Sequence, residues 1–227
     1  MNRILPLAFS LCLTLTAQPA LADEPALSTY TETSSSVSMK ATWPRFGLVR
    51  ADRESETIVK DITDRFRTAA EQERKLRDND PTMPRLSCEL VLEGTVSGNG
   101  KVSGMLWNVY EYTGGAHGNI QVFSRNYACS DGRTIGLNDL FGNPKKALAL
   151  MSELSRKKLL DQELPQDMVK AGTTPEADNF STFLVEKDGL TLYFNPYQVG
   201  PWAAGVATVK LSLKELAAAQ PNMIWWK

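Results

Sequence analysis

Residues 86–128 constrain the fold most. In "LSCELVLEGTVSGNGKVSGMLWNVYEYTGGAHGNIQVFSRNYA" apolar side chains recur at every second position, and two glycine-rich breaks interrupt them. Leu86, Cys88, Leu90 and Leu92 share one face of a first strand, and "SGNGK" supplies a tight turn. The next run, Val102 to Tyr112, carries Met105, Trp107 and Val109 on one face and Leu106, Tyr110 and Tyr112 on the other. Apolar residues on both faces mark a central strand. A third strand runs from Asn119 to about Ala128. A period of two over this length, closed by turns too short for a crossover, dictates an antiparallel meander.

The flanking segments build the rest. "SVSMKATWP" alternates Val37, Met39 and Ala41 against polar residues and reads as a strand ended by Pro44; "PRFGLVRADRES" follows as a connection. From about Ser55 to Asp78 the period lengthens: Ile58, Ile62, Phe66 and Ala69 or Ala70 form an apolar stripe opposite Asp61, Asp64, Arg65, Glu71 and Arg74. "SDGR" turns into a short strand, Arg133 to Leu137. Asn143 and Pro144 are N-cap and first residue of a second helix with Leu148, Met151 and Leu154 or Ser155 inward. Three more strands are expected between Ser181 and Leu213, the first two joined at Lys187-Asp188-Gly189. Leu213 to Ala219 reads as a short terminal helix, and residues 221–227 as a tail that is either a hydrophobic plug or a free end. The fold class is therefore α+β, with a mainly antiparallel sheet, two main helices and a short C-terminal helix. The expected organisation is residues 1–22 as a signal, 23–34 as a flexible lead and 35–220 as one domain, its N-terminal half about 35–97 and its C-terminal half about 98–220.

The first residues set the expected compartment. Arg3 precedes an apolar run, Ile4 to Thr16, and Ala20-Leu21-Ala22 places small residues where a signal peptidase reads. Export with cleavage after Ala22, to the periplasm or medium, is the expectation; Cys12 would leave with the signal. No later segment is apolar enough to span a bilayer. With 25 basic and 26 acidic residues, the chain has no excess of positive charge to attract nucleic acid. Cleavage leaves Cys88 and Cys129, and an oxidising compartment favours a Cys88–Cys129 disulfide, with a chain-entropy stabilisation of about 3–4 kcal/mol. A plain meander opposes it, because it places the two at opposite ends of the sheet.

Several chemistries lack their residues. His117 is the one histidine, so HExxH and histidine-based zinc sites are out of reach. The chain has no CxxC, no phosphate-binding GxxxxGK[ST], no GxGxxG and no GxSxG elbow. No catalytic residue, metal site or cofactor is implied. Two irregular stretches remain. "EYTGGAHGN" surrounds His117 with Gly114, Gly115 and Gly118. "NPYQVGPWAAG" interrupts a strand with Pro196 and Pro201 and carries Tyr197 and Trp202. The glycines allow positive φ and close backbone approach, so loop shaping is the first reading and binding the second. Large aromatics in an irregular segment favour recognition, with core packing as the alternative.

"YTGGAHGN", "SDGRTIGLNDLF" and "DGLTLYFNPYQVGPWAAGVATVKLSLKEL", preceded by "SVSMKATWPRFG" and a helix, resemble the RsiV-like family of extracellular domains. That family occurs in the anti-sigma factor RsiV and as an accessory module of the peptidoglycan deacetylase PdaC. The resemblance covers roughly residues 35–218. It implies an α+β fold in the cell envelope and a receptor-like role, since the RsiV domain binds lysozyme. Neither sigma-factor control nor deacetylation carries over, because the expected signal stands where RsiV has its cytoplasmic segment and the chain ends where the PdaC catalytic domain would begin. The implied binding surface comprises Gly115, Ala116, His117, Gly118, Tyr197, Gln198, Trp202 and Ala203. The expected partner is a protein, a lysozyme-like muramidase first and peptidoglycan fragments next, bound without catalysis. The competing expectation is a small peptidoglycan-active hydrolase.

Overall fold

The computed structural model describes residues 26–80, 82 and 86–227. The expected export signal lies outside them. Among the described residues the chain forms a five-stranded and a three-stranded sheet, four α-helices and short 3-10 turns: an α+β fold.

The first sheet has the order β1 (Leu27–Thr33), β2 (Val37–Pro44), β3 (Cys88–Gly98), β4 (Val102–Tyr112), β5 (Asn119–Ala128). Its pairings are antiparallel except β2–β3, which are parallel. A parallel pair needs a crossover, and α1 (Val49–Asp78) supplies it. The helix lays Val59, Ile62, Phe66 and Ala70 on Met39, Ala41, Leu90, Leu92 and Trp107, which form the first core. β4 lies inside the sheet, between β3 and β5, as its two apolar faces require.

A second unit follows. The short α2 (Leu137–Leu140), α3 (Pro144–Leu160) and α4 (Gln166–Gly172) pack with the antiparallel strands β6 (Phe183–Glu186), β7 (Gly189–Phe194) and β8 (Ala207–Ser212). Met151, Leu159, Val169, Leu190, Leu192, Val209 and Leu211 belong to its core. Asn143 caps α3 as expected, its side chain accepting from the Lys146 N–H at 3.0 Å. The inner stripe is Ala147, Met151, Ser155 and Leu159, with Leu148 only partly buried.

Several expectations are corrected. Residues 27–33 of the supposed flexible lead are strand β1, in register with β2 from Leu27↔Pro44 to Thr33↔Ser38. The strand has little apolar signal because a polar clip holds it: Arg67 on α1 donates to Glu32 Oε2 at 2.7 Å and to Tyr30 OH at 2.9 Å. The helix starts at Val49, within the expected connection. Asp52 accepts from the Phe46 N–H at 2.7 Å and ties the incoming chain to the first turn. Residues 133–137 form no strand, only a bridge between Tyr127 and Thr134. The terminal helix reduces to a 3-10 turn, Ala217–Ala219. The tail is a plug: the Trp225 and Trp226 indoles donate to Asp139 O at 2.9 Å and Glu186 O at 3.1 Å.

Glu215 caps the start of this short terminal turn, which ends at Gln220, φ +57°, ahead of Pro221. It accepts from Ser212 N and Oγ, both at 2.8 Å, and from Lys158 of α3 at 2.8 Å. Lys158 first, then Ser212, hold its carboxyl down at about 2. A depressed folded pKa contributes stability above the unfolded value near 4.5, and that contribution fades as pH falls from there toward 2. Discounted for partial exposure, Glu215→Gln is expected to cost about 1 kcal/mol at pH 7 and to remove that part of the acid dependence, read from urea melts between pH 7 and pH 2.

The Cys88–Cys129 disulfide does not form; both cysteines are free thiols. Glu89 pairs with Tyr112 and Val102 with Ala128, so the eleven-residue β4 separates the two cysteines. At strand rise that is roughly 35 Å, against a Cα limit of about 7 Å. Burial pushes both thiols above their ordinary pKa, which keeps them protonated and slow to react while folded. Unreduced protein denatured in the presence of a thiol reagent is expected to show both Cys88 and Cys129 reacting, and reductant is expected to leave the melting temperature unchanged.

Candidate functional site

The two irregular stretches meet. Gly114 and Gly115 take φ of +112° and +114°, a conformation open to glycine, and turn the chain out of β4. Gly118 is buried, and a Cβ there would lie 2.2 Å from the Tyr110 ring, so the loop returns flat against that tyrosine. Tyr112 OH donates to Gly115 O at 3.3 Å. Gly115, Ala116 and His117 are left exposed.

The second stretch continues β7 and docks on the outer edge of β5. The Asn195 side chain supplies both bonds: it accepts from the Val122 N–H at 2.6 Å and donates to Val122 O at 3.0 Å. The chain then turns through Tyr197, whose N–H donates to Gly200 O at 2.9 Å. Tyr197 has φ +69°, a left-handed conformation costly for a residue with a Cβ, and its side chain is 60% exposed. Trp202, half-buried in a 3-10 turn, stacks on His117 with ring centroids 4.2 Å apart and planes 28° from parallel.

His117 does not hold the loop across a strand. Its Nδ1 lies 2.9 Å from the adjacent Gly118 O, a local contact, and its main neighbour is the Trp202 ring. The Trp202 indole N–H is buried and has no hydrogen-bond partner among the described residues. Gln198 turns inward, donating to Gly172 O at 3.2 Å and Asn179 O at 3.0 Å, so it braces the turn and is corrected from contact residue to scaffold. Ala203 is exposed beside Trp202. Sequence reasoning missed Asn195 and Gly172. A polar amide before Pro196, at the end of an apolar strand, is the signal for the first; Gly172 carries none, because its neighbour is 26 residues away.

The arrangement offers a shallow aromatic and backbone surface: an exposed phenol, a stacked imidazole–indole pair and free loop backbone. Among the described residues no group of three His, Cys, Asp or Glu is placed to hold a metal ion, and no helix is long and apolar enough to cross a membrane.

Residues 138–214 match DUF3298, a protein family of unknown function. The match spans α3, α4 and the second sheet, including Tyr197 and Trp202, and begins after the His117 loop. The chain is also 32% identical over 122 residues to the peptidoglycan-N-acetylmuramic acid deacetylase PdaC of Bacillus subtilis (strain 168). That alignment takes in 51% of this chain but 26% of PdaC, so the chain corresponds to about a quarter of that relative. Two crystal structures share the fold. A DUF3298 family member from Bacteroides fragilis NCTC 9343 covers 86% of this chain and 93% of its own, with TM-score 0.59 and 18% identity. One from Pseudomonas aeruginosa PAO1 covers 89% and 97%, with TM-score 0.59 and 15% identity. The peptidoglycan chemistry in the PdaC name belongs to that relative.

Proposed function

We propose that the protein is an exported, non-catalytic binding module of the cell envelope, cut after Ala22. In this reading it recognises a protein partner of the muramidase class through the edge formed by residues 114–118 and 196–204. The observation that carries the reading is the exposed Tyr197, held at positive φ beside the His117–Trp202 stack. A strained residue presenting a large amphipathic ring is characteristic of recognition surfaces. The name of PdaC supports the envelope setting. A flat aromatic edge suits a protein surface, where a few buried aromatics dominate affinity.

The test is calorimetric titration of the mature chain with lysozyme and, separately, with soluble muropeptides. Tyr197→Gly removes the ring at a φ that glycine accepts, so stability is expected to hold or rise while lysozyme affinity falls at least about tenfold. His117→Ala loses only a local hydrogen bond and one ring contact. It is expected to cost under about 1 kcal/mol of stability and to weaken binding without abolishing it. Binding of muropeptides alone would move the module to glycan recognition. Turnover of peptidoglycan that His117→Ala abolishes at unchanged stability would make the loop catalytic.

A further inference from the structure

A second site lies at the other end of β7 from Asn195. A cavity of about 510 Å³ opens there on the three-stranded sheet, and it shares no residue with the candidate recognition edge. Thr191 of β7 pairs with Leu184 on β6 and Lys210 on β8. Strand alternation turns Thr191, Tyr193 and Lys210 away from Leu190, Leu192 and Leu211, which fill the second core. At the end of β6, Glu186 extends over the same face. Its carboxylate accepts from Thr191 Oγ1 at 3.4 Å and from Ser97 Oγ at 3.1 Å.

Opposite charges therefore flank Thr191, a carboxylate from β6 and an ammonium from β8. They do not neutralise each other. Among the described residues neither Glu186 nor Lys210 has an ion-pair partner. Of the cavity's other charged residues, Glu215 is by contrast saturated by Lys158 and Ser212, and Lys187 and Asp188 lie exposed at the hairpin turn. Tyr193 forms the apolar wall, packed against Leu106, Val122 and Leu184. Burial, then the Glu186 charge, push its phenol above the ordinary range, so it stays a neutral hydrogen-bond donor.

This charge arrangement selects among ligands. A simple anion meets Glu186, and a simple cation meets Lys210. An apolar molecule would desolvate both charges without replacing their water, which is costly. A molecule with both charges satisfies both ends. We propose that this cavity binds a small amino-acid-type zwitterion, an amino acid or dipeptide, with its ammonium on Glu186, its carboxylate on Lys210 and its side chain against Tyr193. Glu186 keeps lone pairs beyond those used by Thr191 and Ser97, and Lys210 keeps its three donors.

The test uses the full mature chain and calorimetric titration with alanylalanine and glycylglycine. Their N-acetylated and C-amidated forms each remove one charge at nearly constant shape. Saturable binding of the free dipeptides is expected, with affinity at least tenfold weaker for either blocked form and for Glu186→Gln or Lys210→Met. Melting curves establish that the variants fold, and the blocked peptides test the site on unmodified protein. Blocked and free dipeptides binding alike would overturn the proposal, as would no binding of either free dipeptide at about 10 mM. A small anion such as acetate competing as well as the dipeptide does would also overturn it, since Glu186 would then play no part.

Discussion

Alanine at Gly172 is expected to destabilise the protein by about 2–3 kcal/mol and to weaken partner binding, although the residue touches no partner. Glycine near the end of a helix is ordinarily a weakness, and replacing it with alanine in an exposed helix gains up to about 1 kcal/mol. Here the sign reverses. A Cβ at Gly172 would stand 2.0 Å from Gln198 O, 2.7 Å from Gln198 C and 2.9 Å from Val199 Cγ1. Two of those atoms are backbone, so no rotamer change relieves the clash. Gln198 has no slack: its amide bonds Gly172 O and Asn179 O, its N–H donates to Asn195 O at 3.0 Å, and its Oε1 accepts from the Asn195 N–H at 3.3 Å. The whole turn must lift, and Tyr197 lifts with it. Gly100→Ala is the control. Unlike Gly172 it sits at positive φ, +87°, and nothing lies within 4 Å of its Cβ, so only backbone strain of about 1 kcal/mol applies. Urea melts of the two variants, with lysozyme titration of Gly172→Ala, check the result. Equal stability of Gly172→Ala and wild type would mean that α4 does not back the turn.

The parts of the fold legible in the sequence are those where one burial pattern dominates. β2 to β4 each carry a period-two apolar face, and α1 carries a three-to-four-residue stripe, because they lie against the same core. β1 was not legible. Its side chains are held by Arg67 from α1, and no local pattern records a bond that far along the chain. The terminal segment has helical composition and a Ser212–Glu215 cap at its start, but the chain turns left-handed at Gln220, ahead of Pro221, before a helix can extend. For the site, glycines and prolines marked both irregular stretches. His117 lies against Trp202, but the bond that brings the two stretches together, from Asn195 to Val122, could not be read from spacing. Gln198 looked like a contact residue because an amide in an irregular turn can face either way; its acceptors on Gly172 and Asn179 decide the matter. For the cysteines, compartment argued for a bridge and strand register against it, and register prevailed.

Asn195→Ala should be the most damaging single change at the recognition edge. β5 is an edge strand, and its outward backbone groups are covered piece by piece. The Arg125 guanidinium donates to Ser124 O at 2.9 Å, and the Ile135 N–H donates to Asn126 O at 2.7 Å. Asn195 covers Val122, mimicking a paired strand with one side chain: its Oδ1 takes the N–H at 2.6 Å and its Nδ2 gives to the carbonyl at 3.0 Å. Val122 is 1% exposed, so alanine leaves a buried donor and a buried acceptor unmatched. The expected cost is about 2–3 kcal/mol. The functional loss should exceed that of His117→Ala, because the bond is what brings residues 196–204 against the loop at 114–118. Without it the His117–Trp202 stack loses its support, and binding should fall at least about tenfold. Asn195→Asp distinguishes donor from acceptor. It keeps an oxygen for the Val122 N–H but points a second one at the Val122 carbonyl, so at neutral pH it should be about as unstable as alanine. The uncovered edge also offers free backbone to a second molecule, and concentration-dependent aggregation near the melting temperature is expected of both variants. Light scattering during thermal melts, with lysozyme titration below the transition, measures both effects. Wild-type affinity in Asn195→Ala would mean that the two stretches recognise their partner independently.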